Sequence, residues 1–276
     1  MRISSRLLTP MCARAFSTGN STVGVEHVGK VTIISINRPS RLNAVDTFTA
    51  AQLRKAFQDF DNDKNSTVAV LHGGKKNFCA GFDLKFLANK SADEMVDSIK
   101  ELHDAEGPGP MGPTRMLLSK PVIAAVEGYS VAGGLELALW CDVRIAAESA
   151  RFGVFCRRFG VPLIDGGTVR LPRIVGQGRA MDMILTGREV GATEALGMGL
   201  INRLVPDGAA LEEALVYAEK ISKFPQVCMR ADRISALKQW DFPLHEALLE
   251  EGRGGNAPLL QEAVDGATRF SAGSRS

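Results

Sequence analysis

The 276-residue chain is predicted to be an α/β protein with a helical C-terminal region, and three observations support this fold class. Short β-prone runs alternate with stretches of helical periodicity up to about residue 200, an order that favours parallel β-α units. After Pro206 the remaining stretches are helix-prone and contain no convincing strand. The composition, 45% hydrophobic and 23% charged, is typical of a globular protein and not of a disordered one.

Turn signals and periodicity predict the individual elements. Residues 23–28 and 31–36 are β-prone runs on either side of a Gly-Lys pair, which indicates a hairpin. Residues 46–60 place three large apolar side chains at helical spacing. The later predictions are a strand at 67–72, a helix from the capping box at 91–94 to His103, a Gly- and Pro-rich loop at 107–113, a strand at 121–126, a helix over Gly133–Trp140, a strand at 142–146, and helices at 209–223, 226–239 and 244–251.

The first eighteen residues differ in composition from the rest of the chain. They carry Arg2, Arg6 and Arg14, several Ser and Thr, and no acid, which is typical of a mitochondrial presequence. A frayed terminus is the alternative interpretation. The predicted organisation is therefore a presequence at 1–18, an α/β core at 19–205 and a helical region at 206–276, with the mitochondrial matrix as the expected location.

Charge, hydropathy and cysteine spacing argue against several classes of protein. The longest apolar runs, 122–126 and 137–141, are far shorter than the roughly 20 residues that span a bilayer, so no membrane span is expected. Removal of residues 1–18, with three arginines and no acid, changes the formal charge from +2 to −1, which argues against nucleic-acid binding. The five cysteines lack metal-ligand spacing, so we expect reduced thiols and no metal.

Two glycine-containing turns, at 77–83 and 128–134, follow predicted strands, and the second opens a helix. Glycine lets the backbone approach a ligand closely, and a helix N-terminus offers free N–H groups with partial positive charge. Each turn alone is more often structural than functional. As a pair, they form a candidate binding site.

The motifs around these turns resemble the crotonase (enoyl-CoA hydratase/isomerase) family in order and spacing. The matching segments are 37–39, 42–44, 78–84, 120–129, 133–138, 141–142, 152–153, Gly160 and 166–168. The likeness covers roughly residues 22–240. It implies a crotonase (ClpP/crotonase-like) fold with repeated β-β-α units, and a homotrimer or homohexamer in which the C-terminal helices pack on a neighbour.

The resemblance also implies an oxyanion hole for a thioester. In the family, two backbone N–H groups hold the thioester oxygen, and by position they fall on Phe82 and Gly133. The residues implied to bind substrate or coenzyme A are Arg41, Ala80, Gly81, Asp83 and Gly134. For Arg41, a solvated surface arginine is the alternative.

Glu136 is the strongest candidate for an acid/base group. It lies three residues after Gly133, one helical turn into the helix whose start forms the predicted hole. Its neighbours are apolar, so desolvation is expected to raise its pKa towards a useful range. The family's hydratases carry a glutamate at this position, whereas a paired core charge is the alternative interpretation.

A second family glutamate is missing, and its position falls on Cys156. A neutral thiol, with an ordinary pKa of about 8.5, is a poor general acid or base, and buried cysteines are more often inert. Asp165, nine residues later, either supplies the second carboxylate or caps the turn that follows it. Two carboxylates serve hydration best, whereas double-bond migration can run on one base.

The expected function is an acyl-CoA enzyme that stabilises a thioester enolate. The step would be hydratase-like or isomerase-like, on an enoyl-CoA of fatty-acid or related metabolism, with coenzyme A as part of the substrate and no other cofactor. The alternative is an acyl-CoA-binding homologue with weakened turnover. The loop at 107–113 is expected to form a rigid wall of the acyl pocket, and Arg157 and Arg158 either read a carboxylate or form a solvated pair.

Overall fold

A six-stranded sheet forms the centre of the molecule. The computed structural model describes residues 21–104 and 107–273, so the predicted presequence at 1–18 lies outside the described residues. The strands are β1 (Val23–Val28), β2 (Val31–Ile36), β3 (Val68–His72), β4 (Val122–Val126), β5 (Tyr129–Val131), β6 (Val143–Ala147), β7 (Arg151–Gly153), β8 (Val190–Gly191) and β9 (Arg203–Val205).

Helices cover the sheet and make up the C-terminal region. They are α1 (Thr47–Asn62), α2 (Leu84–Leu87), α3 (Ala92–Leu102), α4 (Gly133–Trp140), α5 (Gly167–Val175), α6 (Gln177–Thr186), α7 (Ala192–Gly197), α8 (Ala210–Ser222), α9 (Gln226–Lys238), α10 (Leu244–Gly254), α11 (Asn256–Pro258) and α12 (Val264–Ser271). The capping box at 91–94 is present at the start of α3, as predicted.

The large sheet has the strand order β1-β2-β3-β4-β6-β9. The predicted β1-β2 hairpin is antiparallel, and all later neighbours pair in parallel. The carboxyl ends of β3 and β4 therefore lie at the same edge, and the two glycine-containing turns follow them. A second sheet, β5-β7-β8, stands beside this edge. The second turn was predicted without a strand, and β5 inside it corrects that prediction.

Both faces of the large sheet are covered. On β3, Val68 and Val70 pack into one apolar cluster, while Ala69 and Leu71 pack into the other, as the alternation of a strand requires. Helix α8 covers the first face with three buried alanines, Ala210, Ala214 and Ala218. Small side chains let this helix lie close to the sheet.

Helix α1 covers the opposite face near the site. Its N-cap, Asp46, accepts a hydrogen bond from the Thr49 N–H at 2.8 Å. The three apolar residues predicted to share one helix face, Leu53, Phe57 and Phe60, are buried. The helical period read from the sequence is therefore confirmed.

The C-terminal helices dock on the core through polar contacts. Arg233 of α9 forms an ion pair with Asp142 at 2.8 Å and donates to the carbonyl of Leu118 at 2.6 Å. Glu262 accepts from two N–H groups at the start of α9. Across the described ranges, no helix combines the length and the apolar character needed to cross a membrane.

Candidate active site

The two glycine-containing turns meet at the edge of the large sheet. Gly81 has φ +98°, and a Cβ atom there would lie 2.9 Å from the Gly133 nitrogen and 2.9 Å from Ala132 Cβ. The N–H of Cys79 donates to the carbonyl of Tyr129 at 2.9 Å, and the N–H of Val131 donates to Cys79 at 3.1 Å. Since the turns are joined by backbone hydrogen bonds, their relative position is rigid.

The Phe82 and Gly133 N–H groups are free to bind a ligand. Val45 N–H donates to Gly81 and Asp83 N–H donates to Val45, so the Phe82 amide between them points to the opposite edge. Phe82 N–H has no acceptor among the described residues. Gly133 is the first residue of α4, and the N–H groups of a first helical turn have no partner within the helix. Both N–H groups are therefore left without a protein acceptor among the described residues.

The carboxyl group of Glu136 lies on the first turn of α4. It is 2% exposed, and its Oε1 atom accepts from the N–H groups of Asp165 at 2.9 Å and Gly167 at 2.8 Å. Gly167 begins α5, so the carboxylate sits at a helix N-terminus, which favours negative charge. The other oxygen, Oε2, has no hydrogen-bond partner within the described residues.

Burial dominates the acidity of Glu136. Desolvation, followed by the nearby Asp165 carboxyl, raises the pKa of Glu136 to about 7, against the lowering effect of the two N–H donors and of Arg170. A carboxyl with this pKa can both accept and give a proton near neutral pH. The desolvation expected from the sequence is therefore present.

Comparison with known proteins shows the family of this chain. A family model described as enoyl-CoA hydratase/isomerase matches residues 26–248. This chain belongs to the enoyl-CoA hydratase/isomerase family. It is 36% identical to the enoyl-CoA hydratase EchA19 of Mycobacterium tuberculosis, over 89% of this chain and 92% of that protein.

Two further comparisons support the family and the fold. A probable mitochondrial enoyl-CoA hydratase of Dictyostelium discoideum is 33% identical, over 84% of this chain and 81% of that protein. The crystal structure of an enoyl-CoA hydratase from M. tuberculosis superposes with a TM-score of 0.83 at 33% identity, over 93% of this chain and 98% of that chain. The crotonase fold is thereby confirmed, and the chain is an acyl-CoA enzyme of this family.

Asp165 of this hydratase/isomerase-family chain lies beside Glu136, and its side chain does not cap the following turn. Its Oδ1 atom accepts from the Met111 N–H at 3.0 Å and from the Thr114 hydroxyl. The N-cap of α5 is Gly166, which has no side-chain cap. The sequence left open whether Asp165 supplies a second carboxylate or caps the turn that follows it. The cap is wrong, because the hydrogen-bond donors to the Asp165 carboxylate come from loop 107–114 and not from that turn. Burial raises the pKa of Asp165.

Cys156 is buried near Glu136 and remains a thiol. Burial, followed by the charge of Glu136, raises the pKa of Cys156, so it is neutral at physiological pH. The cysteines in the described ranges are free.

The residues predicted to bind substrate or coenzyme A differ in their exposure and in their contacts within the protein. Arg41 is exposed beside the first turn. Asp83 instead caps α2 through the N–H groups of Lys85 and Phe86 and forms an ion pair with Arg38 at 3.2 Å. Its carboxylate is thus used within the protein.

Backbone packing explains the other three predicted contacts. Ala80 donates its N–H to Leu42 at 3.1 Å, and Gly81 brings the two turns together. Gly134 packs on Cys79, since a Cβ atom there would lie 2.0 Å from the Cys79 carbonyl oxygen. For Gly134, a packing role is sufficient to explain the glycine.

The arginine pair at 157–158 contacts backbone carbonyls away from Glu136. Arg157 donates to Ile184 at 3.2 Å, and Arg158 donates to Gly187 at 2.9 Å and stacks on Phe155. Both arginines are exposed, in agreement with a solvated pair.

The sequence did not predict three residues that hold Asp165 in place or pack beside Gly133. Met111 and Thr114 bind the Asp165 carboxylate, and the Met111 side chain packs on Gly133, where a Cβ atom would lie 2.6 Å from its Sδ atom. Arg170 donates to the carbonyls of Asp165 and Thr114. The only local signal for Arg170 was a cation about one helical turn after the Gly166-Gly167 pair, and Arg173 nearby carries the same signal.

Proposed function

We propose that this chain is an enoyl-CoA hydratase in which Glu136 and Asp165 form the acid/base pair. The observation that carries the proposal is the position of Glu136, one helical turn from the Gly133 N–H, with one oxygen held by two N–H groups and the other without a partner among the described residues. The nearby Asp165 carboxyl supplies the second group that the sequence lacks at position 156. The hydratase names of the relatives also favour hydration.

The Phe82 and Gly133 N–H groups would bind the thioester oxygen. This polarises the double bond so that C3 becomes electrophilic, and each preorganised donor is worth about 3–4 kcal/mol in the transition state. Ionised Glu136 accepts a proton from water while the water oxygen bonds to C3. The charge moves to the thioester oxygen as an enolate. A proton from the pair then bonds to C2, which completes the addition of water.

Double-bond migration is the second candidate. Cys156, in place of a second glutamate, and the anchoring of Asp165 by loop 107–114 favour a single base. In that reaction, Glu136 would move one proton between C4 and C2 through a conjugated dienolate, whose thioester oxygen would bind to the same two N–H groups.

The deciding experiment incubates the enzyme with a panel of enoyl-CoAs in heavy water and identifies products by mass spectrometry. Hydration yields a 3-hydroxyacyl-CoA, whereas migration yields an isomer with a different retention time. Glu136→Gln is expected to lose about 10²–10⁴-fold in kcat. Asp165→Asn is expected to lose hydration but keep deuterium exchange at C2 of a saturated acyl-CoA, and Cys156→Ala should retain most of the wild-type activity. Tight binding of acyl-CoA without product or exchange would contradict catalysis and indicate an acyl-CoA-binding protein.

The proposal includes a location, an assembly and a substrate contact. Residues 1–18 serve as a mitochondrial presequence, in line with their basic composition and with a relative named as mitochondrial. A fluorescent reporter fused to these residues should enter mitochondria, and Arg→Glu changes in them should prevent it.

Residues 206–276 would assemble a homotrimer or homohexamer. Arg41 and the backbone at Ala80 would contact coenzyme A, and no other cofactor is required.

A further inference from the structure

Arg170 occupies a position that links the two segments around Glu136. It is the fourth residue of α5, so its side chain reaches back over the N-terminal turn of the helix. Its Nη1 atom donates to the Asp165 carbonyl at 3.0 Å, and Nη2 donates to the Thr114 carbonyl at 2.7 Å. The planar guanidinium thus joins α5 to loop 107–114 in one fork.

The turn is shaped for this guanidinium. Gly166 has φ +91°, and a Cβ atom there would lie 2.1 Å from Arg170 Nη1. Any other side chain at position 166 would therefore displace the fork.

The peptide units on either side of the Asp165 carbonyl hold Glu136. Asp165 accepts from Arg170 through its carbonyl and donates to Glu136 Oε1 through its N–H, while Gly167 donates the second bond. A shift of the Asp165 carbonyl would therefore turn the donors away from the carboxylate. On the other side, Thr114 is tied both to Arg170 and to the Asp165 carboxylate.

We infer that Arg170 is a positioning residue for the reaction: its guanidinium holds the peptide donors of Glu136 and the loop that anchors Asp165, and its charge faces both carboxyls. The inference rests on the proposed function. In the proposed reaction, Arg170 touches neither the substrate nor the reacting atoms. Its effect reaches the reaction through Glu136 and Asp165.

The charge of Arg170 opposes the effect of burial on both carboxyls. It lowers the pKa of Glu136 and of Asp165, although desolvation, the largest influence, raises both pKa values. The charged and titratable groups that face Glu136 are Cys156, Asp165 and Arg170. Those that face Asp165 are Cys79, Arg115 and Arg170, and those that face Arg170 also include Cys141 and Arg173. Removal of the cation leaves two buried acids without their shared counter-charge.

The test compares Arg170→Gln, Arg170→Lys and Arg144→Gln with wild type, using the enoyl-CoA that wild type converts best. Arg144 is a matched control, because it is a buried arginine that donates to carbonyls, as the part-buried Arg170 does, but it faces Cys141 and Asp142 instead of Glu136. Arg170→Gln is expected to lower kcat by about tenfold to a hundredfold with little change in KM. It should also move the acidic limb of the kcat/KM profile to higher pH by about half a unit or more.

Arg170→Lys separates charge from geometry. It should keep the acidic limb at the wild-type pH but lower kcat several-fold, since one ammonium cannot reproduce the fork. Arg144→Gln should lower the melting temperature without moving the limb. The inference would be overturned if the acidic limb of the kcat/KM profile did not move in folded Arg170→Gln, or if Arg170→Lys kept the wild-type kcat. It would also be overturned if Arg144→Gln moved the acidic limb equally, or if neither Arg170 variant folded. An inactive wild type would contradict the proposed function instead.

Discussion

At the scale of single residues, Glu136 combines burial with a defined hydrogen-bonding arrangement. Two N–H groups hold one oxygen, and the burial of the side chain opposes its ionisation. The same environment that suits proton transfer therefore costs stability whenever the carboxyl is ionised. This residue connects activity to the pH dependence of folding.

Glu136→Gln is expected to stabilise the protein at pH 8 and to have little effect at pH 5. Because the folded pKa of about 7 lies above the ordinary value of 4.5, wild-type stability falls as pH rises from about 4.5 to about 7. The loss amounts to about 3 kcal/mol. Glutamine keeps an acceptor for the two N–H groups but carries no charge. Thermal melts at both pH values check this, and a lower melting temperature for the variant at pH 8 would refute it.

Gly81→Ala is expected to disrupt the oxyanion hole. The added Cβ would press on Gly133 N and Ala132 Cβ, so the two turns must separate. A fall in kcat/KM of about 10²-fold or more should follow, as for the loss of one donor. Gly74→Ala is the control, because Gly74 also has positive φ (+80°) but open space around it. Similar kinetics for the two variants would show that backbone strain, not the hole, is responsible.

At the scale of elements, the close approach of α8 depends on small side chains. Ala214 is fully buried against the sheet, whereas Val216 on the same helix is 58% exposed. Ala214→Leu should therefore reduce the free energy of unfolding by about 1–3 kcal/mol through overpacking. Val216→Leu should leave it unchanged, and urea denaturation measures both. Equal stability of the two variants would show that α8 can move away from the sheet at no cost.

The elements that could be predicted have strong local signals. The β1-β2 hairpin has a turn pair between two β-prone runs, α1 has a clear apolar face, and α3 has a capping box. Strands β5, β7 and β8 have only two or three residues, which is too short for any period to appear. They exist because the neighbouring turns bring their backbones together, which is tertiary information.

In the candidate site, too, residues with a local sequence signal could be predicted, whereas residues brought together only by the fold could not. The roles of Phe82 and Gly133 were predicted from the resemblance of the glycine motifs after β3 and β4 to the crotonase family, and Glu136 was predicted from its place one helical turn after Gly133. Arg170 and Met111 lie outside those motifs, and only the folded loop 107–114 and α5 bring them to Asp165. The role of Asp165 depended on its donors, which are more than 50 residues away in sequence.

At the scale of the whole molecule, the C-terminal helices carry apolar side chains on their outer surface. Leu260, Val264 and Phe270 are 85%, 71% and 81% exposed. An exposed apolar group of this kind is typical of an interface. We expect Leu260→Glu with Val264→Glu to reduce assembly, whereas Val28→Glu, on the edge hairpin, should not. Sedimentation velocity measures this, and a monomeric wild type would contradict the proposed trimer or hexamer.

We propose that Glu136 moves a proton at C2 of an acyl-CoA thioester while the Phe82 and Gly133 N–H groups bind the thioester oxygen. The most direct measurement is deuterium exchange at C2 in heavy water, followed by mass spectrometry, for wild type, Glu136→Gln and Cys156→Ala. We expect exchange in wild type and Cys156→Ala, with kcat/KM rising through about pH 7, and a loss of about 10²-fold or more in Glu136→Gln. Undiminished exchange in a folded Glu136→Gln protein, or no exchange in wild type, would contradict the claim.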